Sequence, residues 1–192
     1  MSRRDCALWA LAVILSLALL TAPALWNGFP LLQYDTGGYL ARWYEGTLVP
    51  SRAVVYGLIL TAGGPLAFWP VVLLQSALTI WIVALTLRAH QLARPMILLA
   101  VIAALSAITT LPWLTAILLT DTFCGLGVLA LYLLLMRDET LGPGERIGLI
   151  VLIAVAAATH SATLAVLLAL MVCAALLWLI DRRRMPAANF GR

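Results

Sequence analysis

The sequence contains no lysine, and charged residues of any kind are scarce. Asp, Glu and Arg make up 10% of the 192 residues, whereas hydrophobic residues make up 64%. A soluble domain usually carries about 25% charged residues and roughly half apolar ones. With a mean hydropathy of +1.06, this composition excludes an ordinary soluble domain. It predicts an integral membrane protein that is surrounded by the lipid bilayer.

Cysteine is also rare. Cys6, Cys124 and Cys173 are widely spaced, so their positions suggest no metal site and no disulfide pair. We expect each thiol to behave as a small apolar packing group.

Long apolar runs predict the fold class. A hydrocarbon core of about 30 Å needs roughly 20 apolar residues per helix, and backbone groups in lipid must be hydrogen-bonded internally. We therefore expect an all-α bundle: one polytopic transmembrane domain over residues 1–181, followed by a cytoplasmic tail at 182–192. About six spans are predicted, at 7–26, 65–87, 95–111, 113–136, 147–158 and 161–180. A short apolar helix over 53–61 should precede the second span, and the fourth should enter as a short helix that bends near Asp121.

The arginine residues predict the orientation. If the N-terminus is cytoplasmic, every inner loop carries arginine, and only Arg42 and Arg52 lie outside. This agrees with the positive-inside rule, so both termini are expected in the cytoplasm of a bacterial inner (plasma) membrane. The net charge of +4 then reflects orientation and does not indicate a nucleic-acid partner. We expect an uncleaved N-terminal anchor, because the apolar stretch is longer than that of a usual signal peptide.

The first outer loop, residues 27–52, combines charge with aromatic residues. Thr36 or Asp35 can cap a helix over about 37–45, on which Tyr39, Trp43 and Tyr44 share one stripe. This pattern predicts an amphipathic helix at the membrane interface, with its aromatic side toward lipid. An ordinary aromatic belt would explain the same residues.

Asp121 and His160 are expected on the same side of the membrane as this loop. An ionisable residue inside a membrane costs about 2.5–3.5 kcal/mol on insertion scales, and it usually pairs or lines a cavity. Asp35, Arg52, Asp121 and His160 thus form a candidate outer site. Alternatively, Asp121 caps a helix, His160 marks a helix break, or the whole set is a structural ion-paired cluster.

The order of these segments resembles a known family. The relevant segments are Tyr34-Asp-Thr-Gly-Gly-Tyr-Leu40, Pro50-Ser-Arg-Ala-Val-Val-Tyr-Gly-Leu58, the stretch from Leu111 to Asp121, and Ala158-Thr-His-Ser161. They resemble the N-terminal part of GT-C type glycosyltransferases, the mannosyl- and arabinosyltransferases that use polyprenyl-phosphate sugars. His160 stands where many members carry the lysine of a Thr-Lys-Gly motif. Family members run well beyond this length, so an incomplete or inactive member is one expectation.

The resemblance implies transfer of a sugar from a polyprenyl-phosphate donor to an acceptor on the periplasmic face of the cell envelope. Asp35 would be the general base, and Arg52 would bind the leaving phosphate. His160 would assist when protonated, whereas Asp121 would orient Arg52 or His160, or share a divalent cation with Asp35. The expected substrate-binding residues are Arg52, Tyr34, Tyr39, Trp43 and Tyr56.

Two alternatives to an active enzyme stay open. One is a non-catalytic scaffold, a binder of lipid-linked sugars or a transporter subunit. Transporters often contain internal repeats, and none is evident here. The other is a chain that needs a partner to supply further membrane helices.

Overall fold

The computed structural model describes residues 2–180, and this part of the chain is mostly helical. It contains no strand, and its one extended pairing is an isolated parallel bridge between Leu31 and Ile117. The all-α prediction is therefore confirmed. The α-helices in chain order are α1 Arg3–Asn27, α2 Tyr34–Tyr44, α3 Val54–Gly63, α4 Trp69–Ala89, α5 Pro95–Ile108, α6 Leu111–Ala116, α7 Asp121–Met136, α8 Pro143–Thr159 and α9 Ser161–Ile180.

Local sequence explains where several helices begin and end. Ser2 caps α1 through its hydroxyl, which accepts from the Asp5 amide at 3.1 Å, while the Asp5 carboxylate accepts from the Ser2 amide at 2.9 Å. Gly28 ends the same helix at φ 74°, a left-handed conformation that glycine adopts without strain. Proline occupies the first position of α5 and α8, where its missing N–H is not needed.

Three helices are long and apolar enough to cross a membrane, namely α1, α4 and α9 among the residues described. The segment 54–66, α5 and α7 are shorter apolar helices. These helices support the membrane assignment, while six complete spans stay a prediction. The expected tail at 182–192 lies outside the described residues.

The start of the second span differs from the expected one, whereas the entry of the fourth agrees with it. The second span was expected to begin at 65, but residues 64–66 form a 3₁₀ turn and α4 begins at Trp69. Ala67 and Phe68 have φ values of 51° and 63°, which interrupt a right-handed helix. The fourth span does enter as a short helix, α6, and the chain bends over 118–120 before α7 begins at Asp121.

The helices place the first loop, residues 27–52, at one end of the bundle and the loops after α4 and α7 at the opposite end. At one end, Arg88 at the end of α4 pairs with Glu145 in the first turn of α8. At the other end, the Leu31 amide donates to the Ala116 carbonyl at 3.0 Å, which joins the first loop to the connection between α6 and α7. The arginine-bearing loops after α4 and α7 are therefore separated from the loop that carries Asp35.

Candidate functional site

Asp35 and Arg52 form an ion pair across the first loop. Asp35 lies in the first turn of α2, and Arg52 lies just before α3. The Arg52 Nη2 group donates to Asp35 Oδ1, and the side chains are 24% and 38% exposed for Arg52 and Asp35. Because both groups reach solvent, a ligand at this end of the bundle can contact either one.

The surface of α2 holds the arginine in place. The Arg52 guanidinium lies over the Tyr39 ring, 5.8 Å from its centroid, at a distance typical of a cation–π contact. A Cβ at Gly38 would lie 3.1 Å from Arg52 Cγ, so glycine leaves room for the aliphatic stem. The orientation of Arg52 is thus set by the helix that also carries its carboxylate partner.

Beneath the ion pair lies a row of aromatic rings. Tyr39 and Tyr56 meet edge to face at 5.0 Å, and Tyr56 meets Phe123 in the same way at 6.1 Å. All of these rings are buried. Tyr39 was expected on the lipid-facing stripe of α2, but it faces inward, because the ring packs between Arg52 and Tyr56. In this conformation, Tyr39 and Tyr56 support the ion pair from inside, and their assignment as substrate-binding residues stays a prediction.

A buried amide that sequence reasoning missed anchors this row of rings. Gln75 of α4 is fully buried, and its Oε1 accepts from the Tyr56 hydroxyl at 3.0 Å. Its Nε2 donates to the carbonyls of Thr115 and Ile117, each at 3.0 Å. One signal in the sequence was available: Gln75 is the one side-chain amide in a long hydrophobic helix, where an unpaired amide would be costly.

Asp121 begins α7 beside the same cluster. The connection that precedes it is tied to α2, because the Thr36 hydroxyl donates to the Leu118 carbonyl at 3.1 Å. Tyr39 and Thr120 also share a hydrogen bond of 3.4 Å between their hydroxyls. The Asp121 carboxylate is exposed and close enough to Tyr56 to interact with it electrostatically. It makes no hydrogen bond or ion pair within residues 2–180.

A cleft of about 400 Å³ opens beside Asp121, between α4, α5, α6 and α7. Its walls are mostly aliphatic, with threonine hydroxyls among them. The lining includes Ile82, Leu105, Leu114, Asp121 and Thr122. Asp35 and Arg52 are not part of this lining, so the ion pair lies outside the cleft.

The remaining candidate residues are less closely involved. His160 separates α8 from α9 as a half-buried residue, and its ring makes no hydrogen bond or ion pair with any residue in 2–180. Tyr34 is 95% exposed. Trp43 packs against α3, where a Cβ at Gly57 would lie 2.7 Å from its Nε1. The structure therefore gathers Asp35, Arg52, Tyr39 and Tyr56, and it leaves His160 without contact to the ion pair.

The chemistry of this site lies in one carboxylate, one guanidinium and a neighbouring carboxylate at the edge of an apolar cleft. A carboxylate can accept a proton, and a guanidinium can bind an oxyanion through two parallel hydrogen bonds. Within residues 2–180, no group of three or more His, Cys, Asp or Glu side chains is placed to hold a metal ion. No family model matches this chain, and neither a curated protein nor a solved structure matches it.

Proposed function

We propose that this chain is a membrane glycosyltransferase-like protein that takes a sugar from a polyprenyl-phosphate donor and passes it to an acceptor on the periplasmic face. The observation that carries the proposal is the solvent-accessible ion pair of Asp35 and Arg52 at one end of an apolar bundle. Such a pair supplies a proton acceptor and an oxyanion ligand side by side. The proposal includes a location in the bacterial inner membrane with both termini cytoplasmic.

Binding of the donor would change the partner of Arg52. A phosphate offers the guanidinium two oxygens and can replace the carboxylate of Asp35, because both ligands use the same N–H groups. Asp35 would then be released from its ion pair and become free to accept a proton. In this scheme the resting ion pair keeps both groups in position until the donor arrives.

The transfer step forms one bond to the anomeric carbon and breaks another. The acceptor hydroxyl attacks the anomeric carbon, and its proton passes to the Asp35 carboxylate. The bond between the anomeric carbon and the phosphate oxygen breaks, and the oxygen leaves with the electron pair as polyprenyl phosphate. Arg52 stabilises the negative charge that develops on this leaving group.

The cleft beside Asp121 suits the apolar part of the donor. Its aliphatic walls match a prenyl chain, and Asp121 and the neighbouring Thr122 supply polar groups in the same lining. In this proposal Asp121 either binds hydroxyl groups of the sugar or orients the side chain of Arg52. The role of His160 as an assisting acid stays a prediction, since the ring has no contact with the ion pair.

A non-catalytic role is the second candidate, and one observation favours it. Asp35 and Arg52 satisfy each other directly, and the aromatic rings below them are buried. An ion pair of this kind can hold α2 against α3 in a scaffold that binds a lipid-linked sugar without any turnover. In that case, Arg52 would bind the donor phosphate without cleavage of the sugar bond.

The test uses purified protein in vesicles that contain a polyprenyl-phosphate mannose, with an alkyl mannoside added to supply the acceptor hydroxyl, and measures the release of free polyprenyl phosphate. Asp35→Asn should reduce turnover by about 100-fold or more, since a positioned base contributes about 10²–10⁴. Glu45→Gln is the matched control, because Glu45 is an exposed carboxylate in the same loop. Equal turnover in Asp35→Asn and the unaltered protein would reject Asp35 as the base.

Donor binding separates the two candidates. A scaffold would bind the mannose donor and lose this binding in Arg52→Gln, while no polyprenyl phosphate is released by any variant. An unaltered protein that neither binds nor cleaves this donor would reject both candidates for mannose, and the same assay with an arabinose donor would complete the test.

A further inference from the structure

Tyr132 of α7 joins polar side chains to an apolar groove at the end of the bundle that carries the Arg88–Glu145 pair. Its ring stacks on His90 with a centroid distance of 6.3 Å and an interplanar angle of 6°. His90 Nε2 lies 3.1 Å from the Tyr132 hydroxyl, and Arg137 Nε donates to the same hydroxyl at 3.3 Å. The arrangement holds Arg137 and His90 next to each other.

Arg88 and Arg146, which lie near Arg137, each form an ion pair with a carboxylate. Arg88 is bound by both carboxylate oxygens of Glu145, with 2.7 Å between Nη1 and Oε1. Arg146 pairs with Asp138, with 2.8 Å between Nε and Oδ1. Arg137 forms no ion pair within residues 2–180, although Glu139 lies near enough to act on its charge. Because Nε is used by Tyr132, the two Nη groups of Arg137 remain for an anion from outside the protein.

The groove runs between α7 and α9 and has a volume of about 330 Å³. Its walls are almost entirely apolar and include Leu135, Met136, Cys173 and Leu177, with Tyr132 among them. Met136 is the last residue of α7, so Arg137 follows the groove wall directly. An apolar channel in a bundle of membrane helices therefore leads to a cation that pairs with no carboxylate among residues 2–180.

We propose that this groove binds one anionic phospholipid, with an acyl chain between α7 and α9 and the phosphate on Arg137 beside His90. Basic pockets between membrane helices are known to bind anionic lipid head groups, because charge and apolar contact act together there. The guanidinium can hold two phosphate oxygens at once. A zwitterionic lipid offers Arg137 the same phosphate, but the cation of its head group repels the guanidinium, so the site favours anionic head groups. This site is separate from the Asp35–Arg52 pair and does not depend on the proposed transfer reaction.

The experiment titrates the purified full chain in detergent with phosphatidylglycerol or with phosphatidylcholine of the same acyl chains, and native mass spectrometry counts the lipids retained. Arg137→Gln tests the head-group contact. Cys173→Phe fills the groove from an exposed position, so it tests the chain contact without disturbing the core. Arg4→Gln is the control for general charge, since Arg4 is exposed on α1, which packs mainly against α4, α5 and α6. Circular dichroism checks that each variant is folded.

We expect one phosphatidylglycerol to be retained in preference to phosphatidylcholine. Arg137→Gln should weaken phosphatidylglycerol binding by about fivefold, as expected for one basic residue near a lipid surface, and weaken phosphatidylcholine binding by less. Cys173→Phe should weaken both lipids, and Arg4→Gln neither. Equal retention of the two lipids by the unaltered protein would overturn the proposal, as would an equal loss in Arg137→Gln and Arg4→Gln.

Discussion

Gln75 illustrates how one side chain can connect several segments of a membrane protein. Its amide makes three hydrogen bonds that join α3, α4, α6 and the connection between α6 and α7. Buried polar groups in lipid have no water to replace a lost partner. The position of Tyr56, and through it that of Tyr39 and Arg52, therefore depends on a residue that lies outside the candidate site.

Replacement of Gln75 should destabilise the fold more than loss of a single partner. Gln75→Leu removes three hydrogen bonds, and at the membrane average of about 0.6 kcal/mol per bond it should lower the free energy of unfolding by roughly 2 kcal/mol. Tyr56→Phe removes only one of the three bonds and should lower it by about 0.6 kcal/mol. Unfolding in a denaturing detergent measures both variants. Equal losses in the two variants would contradict the anchoring role of Gln75.

At the scale of helices, the close packing of α2 on α3 determines the geometry of the ion pair. An added Cβ at Gly57 would clash with the Tyr39 carbonyl and lie 2.7 Å from Trp43 Nε1. Only glycine allows the two helices to approach this closely. The same packing brings Asp35, which is on α2, next to Arg52, which precedes α3.

Gly57→Ala should therefore push α2 away from α3. The expected loss of stability is about 1–3 kcal/mol, which is typical of overpacking in a well-packed core. Gly37→Ala is the matched control, because an added Cβ at Gly37 would meet nothing within 4 Å. Thermal unfolding followed by tryptophan fluorescence checks both variants. If Gly57→Ala were as stable as Gly37→Ala, the close contact between α2 and α3 would be wrong.

Helices were easier to predict than the faces they bury. Apolar length and proline positions indicated α5 and the bend before Asp121, because these features depend on local sequence. The inward direction of Tyr39 was not predicted. On sequence alone its ring belonged to an aromatic stripe, and only the neighbouring α3 shows that this stripe is divided between the core and the exterior.

For the whole molecule, the opposite placement of the two loop types leads to a prediction of topology. With Cys6, Cys124 and Cys173 replaced by serine, a cysteine at Thr47 should react with a membrane-impermeant thiol reagent added outside intact cells. A cysteine at Gln91 should react only after the membrane is opened. Both positions are exposed in the structure, so burial does not limit their reaction. The reverse pattern would place the Asp35–Arg52 pair in the cytoplasm and reject transfer on the periplasmic face.

The sequence by itself determined the helical class and the membrane setting, because both follow from composition and from the length of apolar runs. It also singled out Asp35 and Arg52, since charge is rare in this chain. Only the tertiary structure decided that these two groups pair, that Gln75 anchors the rings beneath them and that His160 has no contact with the pair. These contacts join residues far apart in the chain, such as Tyr39 and Thr120, which are 81 positions apart. Side-chain packing between helices sets such distances, and local sequence patterns carry no record of it.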